Sequence, residues 1–169
     1  MNQAVNFFWT ILCFIPVIGF WFAEGLTTWF YIFCSISIIS LLIPARLLQL
    51  SNSPKFYEKL GVRVIRKFVQ NGDLVKRISK NTRQQLRVIK GRESAIGYSS
   101  TIVMYERYHF LCFVFFLLTT AFALFIGKIP IAIIILVANV IYNICPILLQ
   151  QYNRARLTRL SKVKAALKA

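Results

Sequence analysis

"IPIAIIILVANVIYNICPILL", residues 129–149, decides the class of this protein. A helix needs roughly 20 predominantly apolar residues to cross about 30 Å of hydrocarbon, and this run supplies them without a single charge. Working outward, residues 4–22, 26–42 and 110–126 read the same way. The chain is 57% hydrophobic and 15% aromatic, well above an ordinary soluble domain. The expected fold is all-α and integral to a membrane: one domain over 1–169, with four transmembrane helices as two hairpins. A basic amphipathic cytoplasmic segment, about 46–107, separates the hairpins, and a tail follows over 154–169.

Charge sets the expected topology. Of 21 Lys and Arg, 14 fall between Arg46 and Arg107 and six from Arg154 to Lys168, leaving only Lys128. The short turns at Glu24-Gly25 and Gly127-Lys128 put both basic regions on one side, which the positive-inside rule makes the cytoplasm. The protein is thus expected in the cell (inner) membrane, multi-pass, with both termini cytoplasmic. The first apolar run is read as a membrane helix and not a cleaved signal peptide. It lacks a charged n-region, is long, and no clear small-x-small site follows.

The net charge of +16 suits either phosphate chains of nucleic acid or anionic lipid headgroups, which attract basic juxtamembrane residues by about 1 kcal/mol each. Apolar segments beside the basic ones favour anionic membrane lipids as partners and no nucleic acid. Cys13, Cys34, Cys112 and Cys145 all sit in apolar segments, far apart, which indicates neither a disulfide framework nor a zinc site.

Between the hairpins, "KFYEKLGVRVIRKFV" spaces Phe56, Leu60, Val64 and Phe68 by four, with cations between. That predicts one amphipathic helix lying in the headgroup layer. Asn71-Gly72 predicts a turn, residues 74–89 a second basic helix, and Gly91 and Gly97 looser structure before the third span. A solvated, lipid-attracted linker is the plainer reading of this whole segment.

Three places can carry chemistry. In "NVIYNICPILLQQYNR", a helix at about 100° per residue puts Asn143, Pro146, Gln150 and Asn153 within about 40° of Asn139. They form one polar stripe running roughly 16 Å. Such residues are commonly interhelical glue; five aligned positions reaching a rim also fit the wall of a polar cleft. In "YERYHF", Glu106 and His109 share a helix face, and a carboxylate beside the chain's one histidine is a way to build a general base. The plainer alternative is a Glu106–Arg pair and an interfacial imidazole. In "QQYNRARLTRL", Arg154, Arg156 and Arg159 suit lipid headgroups or substrate phosphates equally. E-x-x-H also occurs in di-metal carboxylate sites, but these need two such motifs, and the other acids are scattered, so no metal is expected. No phosphate loop, G-x-S-x-G elbow or H-x-x-x-x-D pair is present.

"ANVIYNICPILLQQYNRARL", the upstream E-x-x-H and, more loosely, "FYEKLGVRVIRKFVQNGD" resemble the glycosyl-4,4'-diaponeurosporenoate acyltransferase family of small membrane enzymes. The sequence departs from that family's usual residues at Gln151, Ala155 and Val69-Gln70. The resemblance implies transfer of a fatty acyl group to a hydroxyl of a lipid-soluble glycoside, such as a carotenoid glycoside, at the cytoplasmic face. The co-substrate would be an acyl thioester, on coenzyme A or a carrier protein, with no bound cofactor. On that reading His109 and Glu106 are the catalytic pair. Asn143, Gln150 and Asn153 hold the sugar or the developing oxyanion, Asn139 and Tyr152 also bind substrate, and Arg154 and Arg156 receive donor phosphates. The competing classes are a non-catalytic scaffold or accessory protein binding anionic lipid, and another membrane-embedded lipid transferase.

Overall fold

The computed structural model describes the backbone of residues 2–68 and 92–166 and the side chains of 6–67 and 99–159. Every regular element among these is helical. Helix α1 (Asn2–Glu24) turns at Gly25 into α2 (Thr28–Ile39), which tightens into a 3₁₀ turn at Ser40–Leu42. Three short helices follow: α3 (Ala45–Leu48), α4 (Pro54–Lys59) and α5 (Val62–Phe68). The long α6 (Arg92–Phe125) turns at Gly127 into α7 (Ile129–Asn139), which passes through a π-turn (Val140–Ile144) into α8 (Cys145–Ala166).

Three stretches are long and apolar enough to span a bilayer: Asn6–Glu24, Ser99–Phe125 and Ile129–Arg159. The fourth expected span is shorter. Thr28–Leu42 is apolar but falls below the length of the others, because Pro44 and the 3₁₀ turn end it early. The third span, conversely, starts sooner than residue 110, since α6 runs unbroken through Gly97 where looser structure was expected. Glu106 and His109 therefore lie inside that apolar stretch, and the segment 46–107 overlaps its start. The outward faces carry large hydrophobics such as Phe7, Ile15, Phe22, Ile133 and Val137, each more than half exposed, as lipid-facing residues are.

Packing near the turns combines aromatic rings with small residues. Trp21 stacks on Phe122 at 5.7 Å and meets Phe30 and Phe33 edge-on, while its indole N–H donates to Thr119 Oγ1 at 3.2 Å. Ala123, Ala132 and Ala138 are buried where α6 meets α7, letting the two backbones approach. Lys128 pairs with Glu24, so the two hairpin turns meet at one end of the bundle.

The single amphipathic helix expected over "KFYEKLGVRVIRKFV" is broken at Gly61, whose φ of +80° is a left-handed conformation that glycine adopts without strain. The break gives α4 and α5 different faces. Tyr57 and Val62 are buried against Leu149, Tyr152 and Ala155 of α8, while Phe56, Leu60 and Val64 remain exposed. The exposed stripe is the one the spacing of four picked out. The expected turn at Asn71-Gly72, the helix over 74–89 and Gly91 lie outside the described residues.

Candidate active site

The last span contains a proline that a straight helix cannot accommodate. Pro146 has no N–H to donate, and its ring collides with the carbonyl of Tyr142, four residues back. The chain widens into the π-turn just before it, where the Cys145 N–H reaches Val140 O. A π-turn admits one extra residue, so every later side chain lags by about 100°. Gln151 and Arg154 thereby take the angular places that a straight helix assigns to Gln150 and Asn153.

The polar stripe exists, then, with different members beyond the turn. Asn139, Asn143 and Gln151 are each at most 1% exposed, whereas Gln150 and Asn153 sit half-buried to one side. The expectation for Gln150 and Asn153 came from a helix of constant pitch, and Pro146 was the signal against it. Asn139 Nδ2 donates to Phe113 O across to α6 at 3.2 Å and Asn143 Nδ2 to Asn139 Oδ1 at 2.8 Å. Asn139 is thus interhelical glue.

Two polar clusters flank α6. The first centres on Glu106, fully buried. Arg154 grips its carboxylate through Nη1 to Oε2 at 2.9 Å and Nη2 to Oε1 at 3.3 Å, and Gln151 Nε2 donates to Oε1 at 3.0 Å. The same Gln151 donates to Leu48 O at 2.7 Å and accepts the Leu50 N–H at 3.2 Å. Arg154 also donates to Ala45 O at 2.9 Å and to Gln49 Oε1. Tyr57 closes the ring, donating to Ser51 O at 2.8 Å with Gln151 Oε1 also in reach at 3.2 Å. Burial, foremost, raises the Tyr57 pKa above its ordinary value, so it stays a neutral donor. Together these bonds tie α3, the loop after it and α4 onto α6 and α8. A cavity of about 180 Å³ adjoins Glu106 and Gln151, otherwise walled by apolar residues such as Phe110, Phe113 and Ile147.

The second cluster lies on the α1 side of α6, around His109. Its ring meets Tyr142 edge-on at 5.3 Å and Tyr108 at 5.2 Å. The Asn143 side chain and the Tyr142 backbone carbonyl stand beside it. That carbonyl is the one whose i+4 donor Pro146 lacks. The hydroxyls of Thr10, Tyr142 and Tyr108 form a chain, at 3.0 Å and 3.2 Å. His109 Nδ1 and Asn143 Oδ1 are both buried without a hydrogen-bond partner, and they are complementary: a proton on Nδ1 is what Oδ1 accepts. Glu106, expected to orient His109, instead directs its carboxylate into the first cluster.

Residues 44–163 match the family model of glycosyl-4,4'-diaponeurosporenoate acyltransferase. The chain belongs to this acyltransferase family. The matched stretch begins just before α3 and holds both polar clusters apart from Thr10, while α1 and α2 lie outside it. No curated protein and no solved structure matches the chain. The family's description names an acyl-transfer reaction in carotenoid glycoside chemistry, and the two clusters differ in fitness for such work. Around Glu106 every donor is engaged, and Oε2, though without a hydrogen bond of its own, is held in an ion pair by Arg154. Around His109, polar atoms remain unspent.

The other expected site residues are placed apart. Tyr152 donates to Glu58 Oε1 at 3.2 Å and packs with Tyr57 and Val62, which gives it a structural place. Arg156 is exposed, its guanidinium 5.6 Å from the Tyr152 ring centre. Among the described residues no group of three His, Cys, Asp or Glu is placed to hold a metal ion. Sequence reasoning missed Gln151, Tyr57, Tyr108, Tyr142 and Thr10. Of these, only Gln151 had a legible signal, through Pro146.

Proposed function

We propose that the protein transfers a fatty acyl group from a thioester donor to a hydroxyl of a lipid-soluble glycoside at the cytoplasmic face of the cell membrane, the acceptor being a carotenoid glycoside. The observation that carries the reading is a buried imidazole nitrogen, His109 Nδ1, left without a hydrogen bond beside the equally unpartnered Asn143 Oδ1, in a chain matched to an acyltransferase family. With Nδ1–H donated to Asn143, the His109 Nε2 lone pair is the base. It takes the proton of the acceptor hydroxyl as that oxygen attacks the thioester carbon. A carbon–oxygen bond forms, the tetrahedral adduct collapses, the carbon–sulfur bond breaks, and the proton returns from His109 to the departing thiolate. The Tyr108 hydroxyl, at the end of the chain running from Thr10 through Tyr142, is the donor for the oxyanion.

Glu106, Gln151 and Arg154 serve this chemistry by holding α8 in register, as positioning residues. The exposed cations Arg46, Arg107 and Arg156 suit donor phosphates and anionic headgroups. Coenzyme A and an acidic carrier protein both meet that requirement.

The test is a lipid extract of cells making the protein, its His109→Ala variant or none. Acylated glycoside that depends on the gene and falls by about 10²–10⁴-fold in His109→Ala, with normal accumulation in membranes, is the expected result. Undiminished product in a well-accumulated His109→Ala variant removes the reading.

A further inference from the structure

Helices α1 and α2 are joined by a tight turn, yet their backbones scarcely approach and Trp21 bridges them to Phe30 and Phe33. Helix α1 lies on α7 and the π-turn, whereas α2 lies on α6. The wedge between them is an apolar groove of about 580 Å³, within the range of about 300–1,000 Å³ typical of ligand sites. Its floor is α6 at Cys112, Phe115 and Phe116, and its walls include Trp21 and Phe30. Ser37 is its one hydroxyl, and that is turned back on Phe33 O at 2.7 Å.

One end of the groove abuts the His109 cluster. Cys112 follows His109 by three residues, and the Phe14 ring meets Tyr142 edge-on at 5.2 Å. The other end is set by Phe22, Gly25 and Leu26, the turn of the first hairpin. Along α1, Phe14 to Phe22 covers about 12 Å.

We infer that this groove seats the fatty acyl chain of the donor, carbonyl toward His109 and terminal methyl toward the turn at Gly25, so that its depth selects chain length. The inference rests on the acyl-transfer reading above. A flexible saturated chain can fold into a short wedge; a rigid conjugated polyene long enough to span a bilayer cannot. Lipid tails are as apolar as the groove, so the groove does not draw a chain in by hydrophobicity. It discriminates by shape, because surplus methylenes meet the turn. Its α1 and α2 walls lie outside the matched residues 44–163.

The experiment uses the full chain in lipid nanodiscs and a palmitoyl-coenzyme A carrying a diazirine at its terminal methyl. After irradiation, label is expected on α1–α2 turn and α2 peptides, reduced several-fold by unlabelled palmitoyl-coenzyme A. Label confined to outward residues such as Ile11 and Ile15, or unaffected by competitor, overturns the inference and makes the groove a bed for membrane lipid. As a second arm, Cys34→Phe, mid-groove, shifts the acyl chains of the product shorter and Phe30→Ala shifts them longer. Unchanged profiles in both variants also overturn it. Competed labelling of the groove without any acylated glycoside supports the site and removes only the transfer reading; product without groove labelling does the reverse.

Discussion

Arg154 Nη1 stands 2.9 Å from Glu106 Oε2, where the Glu106 side chain has no exposed surface and that of Arg154 keeps 15%. A carboxylate this deeply placed is tolerable only with a hydrogen-bonded counter-charge, since removing one partner leaves the other buried and unpaired. Glu106→Gln and Arg154→Gln should each destabilise by about 3–5 kcal/mol. The double variant should lose less than the sum, because neither half is then abandoned. Thermal unfolding of the four proteins in detergent gives the cycle, and simple additivity would show that the pair is not coupled.

Gln151 and Gln150 are neighbours with opposite fates. Gln151→Ala strips partners from the Leu50 N–H and the Glu106 carboxylate and should cost about 1–3 kcal/mol. Gln150→Ala should stay within about 0.5 kcal/mol. Equal losses, or the reverse order, would mean that the helix beyond Pro146 runs in the straight register.

That contrast shows what was legible in the sequence and what was not. The apolar spans at 110–126 and 129–149, the turns at Gly25 and Gly127, and the polar stripe starting at Asn139 all follow from hydropathy and helical period. The stripe's far half does not, because a one-residue π-turn changes the phase while leaving composition untouched. Likewise, the spacing of four marked the exposed face at Phe56, Leu60 and Val64. It said nothing of Tyr57 and Val62, whose burial depends on α8 packing beneath them. The partner of Glu106 also lay beyond local reasoning: i and i+3 proximity offered His109, and tertiary structure supplied Arg154 from 48 residues away.

Asn143 and His109 should behave as one unit in catalysis. On the proposed mechanism Asn143→Ala removes the acceptor that would fix the imidazole tautomer, and it should slow acyl transfer by about 10–100-fold, as loss of an orienting partner commonly does. In a His109→Ala background the same change should cost almost nothing further, since residues that act together are non-additive. Rates from membranes of matched protein content settle it. Independent, multiplying losses would place Asn143 on the substrate and not on the histidine.

The contact between Lys128 and Glu24 reports geometry more than stability. Exposed ion pairs contribute about 0–1 kcal/mol, so Glu24→Gln should leave unfolding within that margin. The informative change is to cysteine. In a background lacking the four native thiols, Glu24→Cys with Lys128→Cys should cross-link readily, because both turns occupy one end of the bundle. The short α2 makes sidedness worth measuring as well. Its 12 helical residues rise about 18 Å, against about 30 Å of hydrocarbon, so crossing requires a locally thinned bilayer or the chain beyond Leu42. An impermeant thiol reagent should reach Gln3→Cys and Arg159→Cys from one face and Lys128→Cys from the other. Labelling of positions 3 and 128 from the same face would mean that α1 does not span the membrane.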